Sequence, residues 1–298
     1  MTAAVPNAPP RRRPLRRAVM WTVTACAALY VALVWIASSR FMHVRHLLPR
    51  RDTAVAGLSE ITATTDDGLV LRGSFAEPPD AKGVVVVFHG VGATRSRGAL
   101  PVIASWGLVG VSFDFRGHGD SDGDVTTFGW DERRDVAAVL ATVRSRWPGR
   151  RIAVWGVSLG GAALCYSADL VRDLDAVVLE SVYRDIDSAF ERRVTTTSSG
   201  LLVPLALPAK WLVAARLGID ATQLRPCDFT ARLRPERTLI VTGEKDLWAG
   251  PGDLEALAAP LPGCATYLVP GAGHSDVWKV GGAAYLDRIR SFVTARLQ

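Results

Sequence analysis

The chain has 298 residues, of which 49% are hydrophobic, and a formal net charge of +6. That length fits one large α/β domain or two small ones, with apolar residues left over for a further segment. Five arginines in RRRPLRR (11–17) carry most of the charge excess, so the basic balance is local and gives no ground for nucleic-acid binding.

Residues 1–17 are rich in proline and arginine and lack apolar periodicity, as expected of a disordered basic head. The next stretch, AVMWTVTACAALYVALVWIASS (18–39), carries no charge. As a helix it spans roughly 33 Å, enough for the hydrocarbon core of a bilayer. Trp21, Tyr30 and Trp35, bracketed by Arg16, Arg17 and Arg40, suit a transmembrane anchor. A cleaved signal peptide fits less well, because no clear small-x-small site follows the run. Val23-Thr24-Ala25-Cys26 resembles a lipobox, yet the apolar run continues well past the cysteine. A buried soluble helix would show a polar face. Arg11, Arg12, Arg13, Arg16 and Arg17 precede the span, and Arg40, Arg45, Arg50 and Arg51 follow it. The positive-inside bias is therefore slight; it favours a single-pass protein of the cell membrane with its large domain outside the cytoplasm.

Residues 40–58 read as a connector. EITATTDDGLVLRGSFAEP (60–78) alternates around Asp67-Gly68, a hairpin signal. Continuous β-branched runs at 83–90, 107–114, 151–156, 175–181, 237–243 and 265–271 predict strands buried on both faces. Helical patterns fill 95–106, 130–146, 159–171, 251–259 and 281–297. This alternation predicts an α/β domain over 59–298, with a mostly parallel sheet and helices on both faces. One interval, about 182–236, lacks a strand and is too long for a simple connection. Its apolar segment LLVPLALPAKWLVAARLG (201–218) reads as a helical lid insertion or as a crossover helix with a long approach. Pro204 and Pro208 argue against a second membrane span. The cysteines, Cys26, Cys165, Cys227 and Cys264, form no CxxC or zinc pattern, and a Cys227–Cys264 disulfide is neither required nor excluded.

Gly156-Val157-Ser158-Leu159-Gly160 fits G-x-S-x-G, in which a serine sits on a strained strand-to-helix turn. Alone the pattern is weak; a buried strand before it and a small-residue helix after it strengthen it. A nucleophilic serine needs a base and an acid that orients the base. His43 and His46 lie beside the apolar span, His89 ends a strand, and His118 sits in a glycine-rich loop. His274, in GAGHSD, follows the last predicted strand and is the candidate base. VTGEKDLW (241–248) leaves a strand and offers Asp246, with Glu244 as the fallback acid. The backbone N–H of Leu159 and that of Val91, in HGVGATRS, are the candidate oxyanion donors. His89 reads as a structural member of that loop.

HGVG (89–92), DFRGHGDSDG (114–123), GVSLG (156–160), GEKD (243–246) and GAGH (271–274) occur in order. As a set they resemble the α/β-hydrolase superfamily, in particular its lysophospholipase and serine-aminopeptidase-like branch, over about residues 60–298. The resemblance implies an α/β-hydrolase fold, a Ser158–His274–Asp246 triad and an acyl-enzyme. DLWAGPGD departs from the Asp-x-x-Val-Pro that often follows the acid in relatives, which affects how Trp248 approaches the site. Asp114, Arg116 and Asp120 look catalytic, but in relatives their loop is structural, and no P-loop lysine follows.

The leading expectation is a membrane-tethered serine hydrolase acting on the ester or thioester of a small acyl substrate, with no metal or organic cofactor. Trp248, Trp278 and the apolar lid suggest an acyl or aromatic group; equally, both tryptophans pack under the lid. A peptidase would need an acidic pocket for a free amine, for which Glu180, Asp185, Asp187 and Glu191 are candidates beside their reading as a solvated helix face. A serine at the elbow disfavours dehalogenase and epoxide hydrolase chemistry. A membrane-tethered interaction protein with a decayed fold is the non-catalytic alternative. The oligomeric state is left open.

Overall fold

The computed structural model describes residues 13–44, 55–197 and 203–297. Helix α1 (Arg13–Met42) is followed by the antiparallel hairpin β1 (Ser59–Thr64) and β2 (Val70–Ala76), which closes at Thr64 and Val70 as the Asp67-Gly68 turn predicted. Then come β3 (Gly83–Phe88), α2 (Ala99–Ser105), β4 (Val109–Phe113), α3 (Glu132–Arg146), β5 (Arg151–Val157), α4 (Leu159–Tyr166), α5 (Ala168–Val171) and β6 (Ala176–Glu180). After β6 come α6 (Ile186–Thr197), α7 (Val203–Leu217) and the short α8 (Cys227–Thr230). The chain ends with β7 (Thr238–Gly243), α9 (Pro251–Ala258), β8 (Ala265–Val269) and α10 (Val277–Leu297). Each of the six predicted runs is a strand, but β8 differs in burial: at the sheet edge, it alternates half-buried with exposed residues before Val269.

The eight strands lie in the order β1-β2-β4-β3-β5-β6-β7-β8. β1 and β2 are antiparallel and all pairings from β4 to β8 are parallel. The valine run in β3 explains its central place. Val84, Val86 and Phe88 pack into one apolar layer, with α3 and α4; Val85 and Val87 pack into the opposite layer, with α2 and α10. Each such fully buried side chain stabilises the fold by roughly 1.5–3 kcal/mol. The predicted helix over 159–171 is broken at Ser167, and the last helix kinks at Gly282.

Two boundaries differ from the sequence reading. Residues 13–17 of the basic head are already helical, since arginine is a good helix former and Pro14 falls in the first turn, where no N–H is needed. Residues 1–12 of that head lie outside the described residues. At the other end α1 runs past residue 39 to Met42, because its last turn packs on the body: Thr126 N–H donates to the Met42 carbonyl at 2.9 Å, and Ser38 is fully buried. Of the connector, residues 45–54, with His46, lie outside the described residues. Residues 16–42 are long and apolar enough to cross a membrane, and Val19, Trp21, Leu29, Val31 and Ile36 are exposed along them.

The DFRGHGDSDG loop is a charge-paired brace. Asp114, 1% exposed, receives the Arg95 guanidinium at 2.5 Å and the backbone N–H groups of Arg95 and Asp120. Arg116 reaches Asp135 at 2.7 Å and Asp67 at 3.0 Å, fixing the hairpin turn to α3. Arg95→Ala strands the Asp114 carboxylate in the interior. It is expected to cost about 3–5 kcal/mol, read as a lowered unfolding midpoint of the detergent-solubilised protein.

Candidate active site

β5 ends and α4 begins on either side of Ser158, whose backbone is forced to φ +50°. Two glycines make this turn sterically feasible. A Cβ on Gly156 would stand 2.6 Å from the Gly160 carbonyl carbon, and one on Gly160 would overlap the Phe88 carbonyl of β3. Gly160 N–H donates to the His89 carbonyl at 3.1 Å, and Ser158 N–H donates to the Glu180 carbonyl at 2.8 Å, which ties the turn to its neighbouring strands.

His274 reaches Ser158 from the loop between β8 and α10. Its Nε2 lies 3.1 Å from Ser158 Oγ, and its Nδ1 lies 3.0 and 2.9 Å from the two Asp246 carboxylate oxygens. A carboxylate only accepts, so Nδ1 carries the proton and Nε2 offers its lone pair to the serine hydroxyl. Asp246, buried after β7, also accepts the backbone N–H groups of Trp248 and Ala249, both at 2.9 Å. Burial by itself pushes the Asp246 carboxyl up; the bond and charge of His274 and the two backbone donors outweigh it and hold the group below the usual carboxylate value. Its charge therefore stabilises the fold above that usual value, and the contribution fades as the pH falls through the lowered one. Glu244, the fallback acid, is exposed and accepts the Gly271 N–H instead.

Val91 and Leu159 both border the cavity beside Ser158. Among the described residues, neither backbone N–H has an acceptor. Two histidines hold the Val91 loop. His89 Nδ1 donates to the Gly90 carbonyl and its Nε2 accepts the Phe115 N–H; His118 Nδ1 donates to the Arg116 carbonyl and its Nε2 accepts the Gly92 N–H. This pattern requires neutral rings. Burial, aided by the nearby His118, pushes His89 down to about 4. His43 donates to the Ser39 carbonyl within α1, away from this chemistry.

The cavity above Ser158 has a volume of about 370 Å³. The insertion between β6 and β7 covers it: Ile186, Ala189 and Phe190 of α6 and Val213, Ala214 and Leu217 of α7 face inward. Trp248 joins this cover to His274, with its ring 4.9 Å from that of His274 and its Nε1 donating to Thr196 of α6 at 3.1 Å. Trp278 does not share the site. It stacks on Trp155 and lines a separate hollow, because the first turn of α10 faces the other side of the sheet.

One wall was not visible in the sequence. Arg40, Phe41 and Val44, at the end of α1, line the same cavity as Ser158 and His274. Arg216 of α7 clasps the helix there, donating to Ser38 and Ser39 at 2.8 and 2.7 Å and lying 4.1 Å over the Trp35 ring, and Phe41 packs on Phe190. No motif marks such contacts, which join residues far apart in the chain.

The four candidate acids for an amine pocket point elsewhere. Glu180 is buried under Trp155 Nε1 and the Tyr285 hydroxyl. Asp185 accepts the Ser188 N–H, Asp187 pairs with Lys210, and Glu191 is exposed on α6. Cys227 and Cys264 are both free thiols, and among the described residues no group of acidic, histidine or cysteine side chains is placed to hold a metal ion.

The strain at Ser158 is testable without activity. Glycine tolerates a positive φ and alanine does not, so Ser158→Gly is expected to exceed Ser158→Ala in unfolding free energy by about 1–3 kcal/mol. Chemical denaturation of the two variants side by side measures this difference.

Residues 79–220 match the family model described as serine aminopeptidase, S33. An uncharacterized protein of Mycobacterium tuberculosis (strain ATCC 25618 / H37Rv) is 26% identical over 283 residues, 93% of this chain and 94% of the relative. The Pyrococcus furiosus esterase Pf2001 superposes over 81% of this chain and 92% of its own, with a TM-score of 0.67 at 21% identity. The α/β hydrolase GrgF of Penicillium sp. sh18 superposes over 80% and 99%, with a TM-score of 0.63 at 20% identity. Sheet order and these likenesses agree: the chain has an α/β-hydrolase fold, and its match to the serine-aminopeptidase family model spans the segment that contains Ser158.

Proposed function

We propose that the protein is a membrane-anchored serine hydrolase that cleaves a carboxylic ester or thioester through an acyl-enzyme. The observation that carries this reading is the hydrogen-bonded line Ser158–His274–Asp246 at the wall of a largely apolar cavity. Ser158 Oγ attacks the acyl carbonyl while His274 Nε2 takes its proton, and Asp246 stabilises the imidazolium. The Leu159 and Val91 N–H groups receive the oxyanion; in serine enzymes each such donor is worth about 3–4 kcal/mol. His274 then protonates the departing alkoxide or thiolate. A water deprotonated by the same imidazole attacks the acyl-enzyme, releasing the carboxylic acid and restoring Ser158.

Phe41, Phe190, Val213, Leu217 and Leu224 give the cavity an apolar lining suited to an acyl chain. An aminopeptidase needs a carboxylate to receive the free amine. Among the described lining residues there is none, whereas Arg40, Arg193 and Lys210 are present. The same polarity disfavours a peptidase that releases N-terminal residues. A decayed, non-catalytic fold would have little reason to keep the Asp246 and His274 hydrogen bonds in register with the serine.

The uncharged length of α1 supports membrane anchoring, and the slight excess of arginine before it favours a catalytic domain outside the cytoplasm. Pro208 interrupts the apolar sequence of α7, and that helix packs on α6 and α1 as the cover of the cavity. It acts as a lid whose opening admits substrate.

A fluorophosphonate probe is expected to label the folded protein and to leave Ser158→Ala unlabelled; an unlabelled parent protein would end the catalytic reading. Activity on aryl esters should rise with acyl chain length from acetyl upward, while aminoacyl amides stay intact. Protease added to intact cells should digest the C-terminal domain, and complete protection would refute the orientation.

A further inference from the structure

The hollow that Trp278 lines has no part in the chemistry at Ser158. It has a volume of about 450 Å³ and shares no lining residue with the cavity beside that serine. Ser96 and Gly98 border it just before α2, Trp155 and Val157 from β5, Glu180 at the end of β6 and Trp278 from α10. Among its described lining residues Glu180 alone carries a charge.

Glu180 is 6% exposed. Its Oε2 accepts two bonds, from Trp155 Nε1 at 2.7 Å and from the Tyr285 hydroxyl at 2.5 Å. Its Oε1 accepts none among the described residues, yet that oxygen is not sealed in, and the side chain opens on the hollow. Burial pushes the Glu180 carboxyl up against the pull of its two donors, so a cation at Oε1 would stabilise the carboxylate. Ser96 bonds only through its backbone, which leaves its hydroxyl open as well. Trp155 and Trp278 lie stacked with centroids 6.1 Å apart, and indole rings attract cations. One carboxylate and one hydroxyl are too few ligands for a metal ion. A protonated amine with an apolar body suits all of these groups.

We propose that this hollow is a binding site for a small primary ammonium ion, held at Glu180 Oε1 with its apolar part against the two indoles. The Ser96 hydroxyl is available as a second acceptor. The site is separate from the substrate cavity and does not depend on the esterase reading. It is nevertheless joined to the elbow, since Val157 precedes Ser158 and the Glu180 carbonyl accepts the Ser158 N–H at 2.8 Å.

Benzylammonium and its neutral counterpart benzyl alcohol test this, each titrated calorimetrically into the full-length protein in a non-ionic detergent, with a detergent blank subtracted. The parent protein should bind the cation at least about tenfold more tightly than the alcohol, as for one charge-assisted contact. Glu180→Gln should abolish that preference. Gly98→Leu gives a second variant that leaves the buried carboxylate in place. Gly98 has an ordinary φ of −67°, and a Cβ there meets nothing within 4 Å, so the leucine obstructs the hollow without straining the backbone. It should weaken binding of the cation by tenfold or more. Protein already blocked at Ser158 by a fluorophosphonate should bind benzylammonium as the parent does. Failure of the parent to bind the cation, equal affinity for the alcohol, binding that survives both variants, or binding lost on blocking Ser158 each overturns the proposal. If the fluorophosphonate labels nothing, the esterase reading falls, and the titrations of parent and variants still decide this site.

Discussion

Where α4 leaves Ser158, its backbone presses against the end of β3 so closely that no side chain fits between Gly160 and the Phe88 carbonyl. That contact fixes the serine at φ +50° and turns its hydroxyl out of the sheet toward the loops that follow β7 and β8. The strain, of the order of 1–3 kcal/mol, is borne by the parallel sheet on both sides. β3 and β6 flank β5, and both ends of the turn bond to their backbones. Asp246 and His274 meet this serine because β7 and β8 extend the same sheet in the same direction, so the loops at their carboxyl ends open on one side.

The charged and histidine-rich loops on that side hold geometry. Asp114 and Arg116 bind partners that anchor the loop after β4, and neutral His89 and His118 pin the backbone on which Val91 is presented. Their acids and bases are engaged with one another or with the backbone, which leaves the hydrogen-bonded set Ser158, His274 and Asp246, with Ser158 and His274 lining the cavity and Asp246 buried behind them. Trp248 ties the loop after β7 to α6, so a movement of α6 would be felt at the His274 ring.

The apolar helix at the N-terminus is continuous with this arrangement. Its last turn is clasped by Arg216 and supplies a wall of the cavity, so the helix and the catalytic domain meet without a flexible spacer at that contact. A helix that only tethered the domain would need none of these bonds. The cavity mouth thus lies close to the end of the apolar segment, and the cationic groups there belong to both parts of the chain.

Much of this was legible from local pattern. The continuous apolar runs marked the central strands because a strand buried on both faces tolerates them, whereas β8, at the sheet edge, is buried only in part. The order of GVSLG, GEKD and GAGH pointed to Ser158, Asp246 and His274 because each motif encodes a local requirement: a tight turn, or a polar residue at the end of a strand. Asp246 could be preferred to Glu244 by motif position, and the reason, burial beneath His274 with Trp248 and Ala249 donating, lies in the fold.

What local pattern left open depended on contacts between distant residues. The choice between a lid and a crossover helix, the separation of Trp278 from Trp248, and the absence of an acidic pocket among the described residues are all questions of which faces meet. The part played by Arg40 and Phe41 is the strongest case, since a helix of apolar composition reads the same whether it ends in solvent or against a catalytic cavity. Sequence determined the strand pattern, the strained serine and the partners available to it, because these follow from side-chain sterics over a few residues. Tertiary structure decided the cavity and its charge, because these arise from packing α1, α6 and α7 over the sheet, where residues nearly 180 positions apart come within hydrogen-bonding distance.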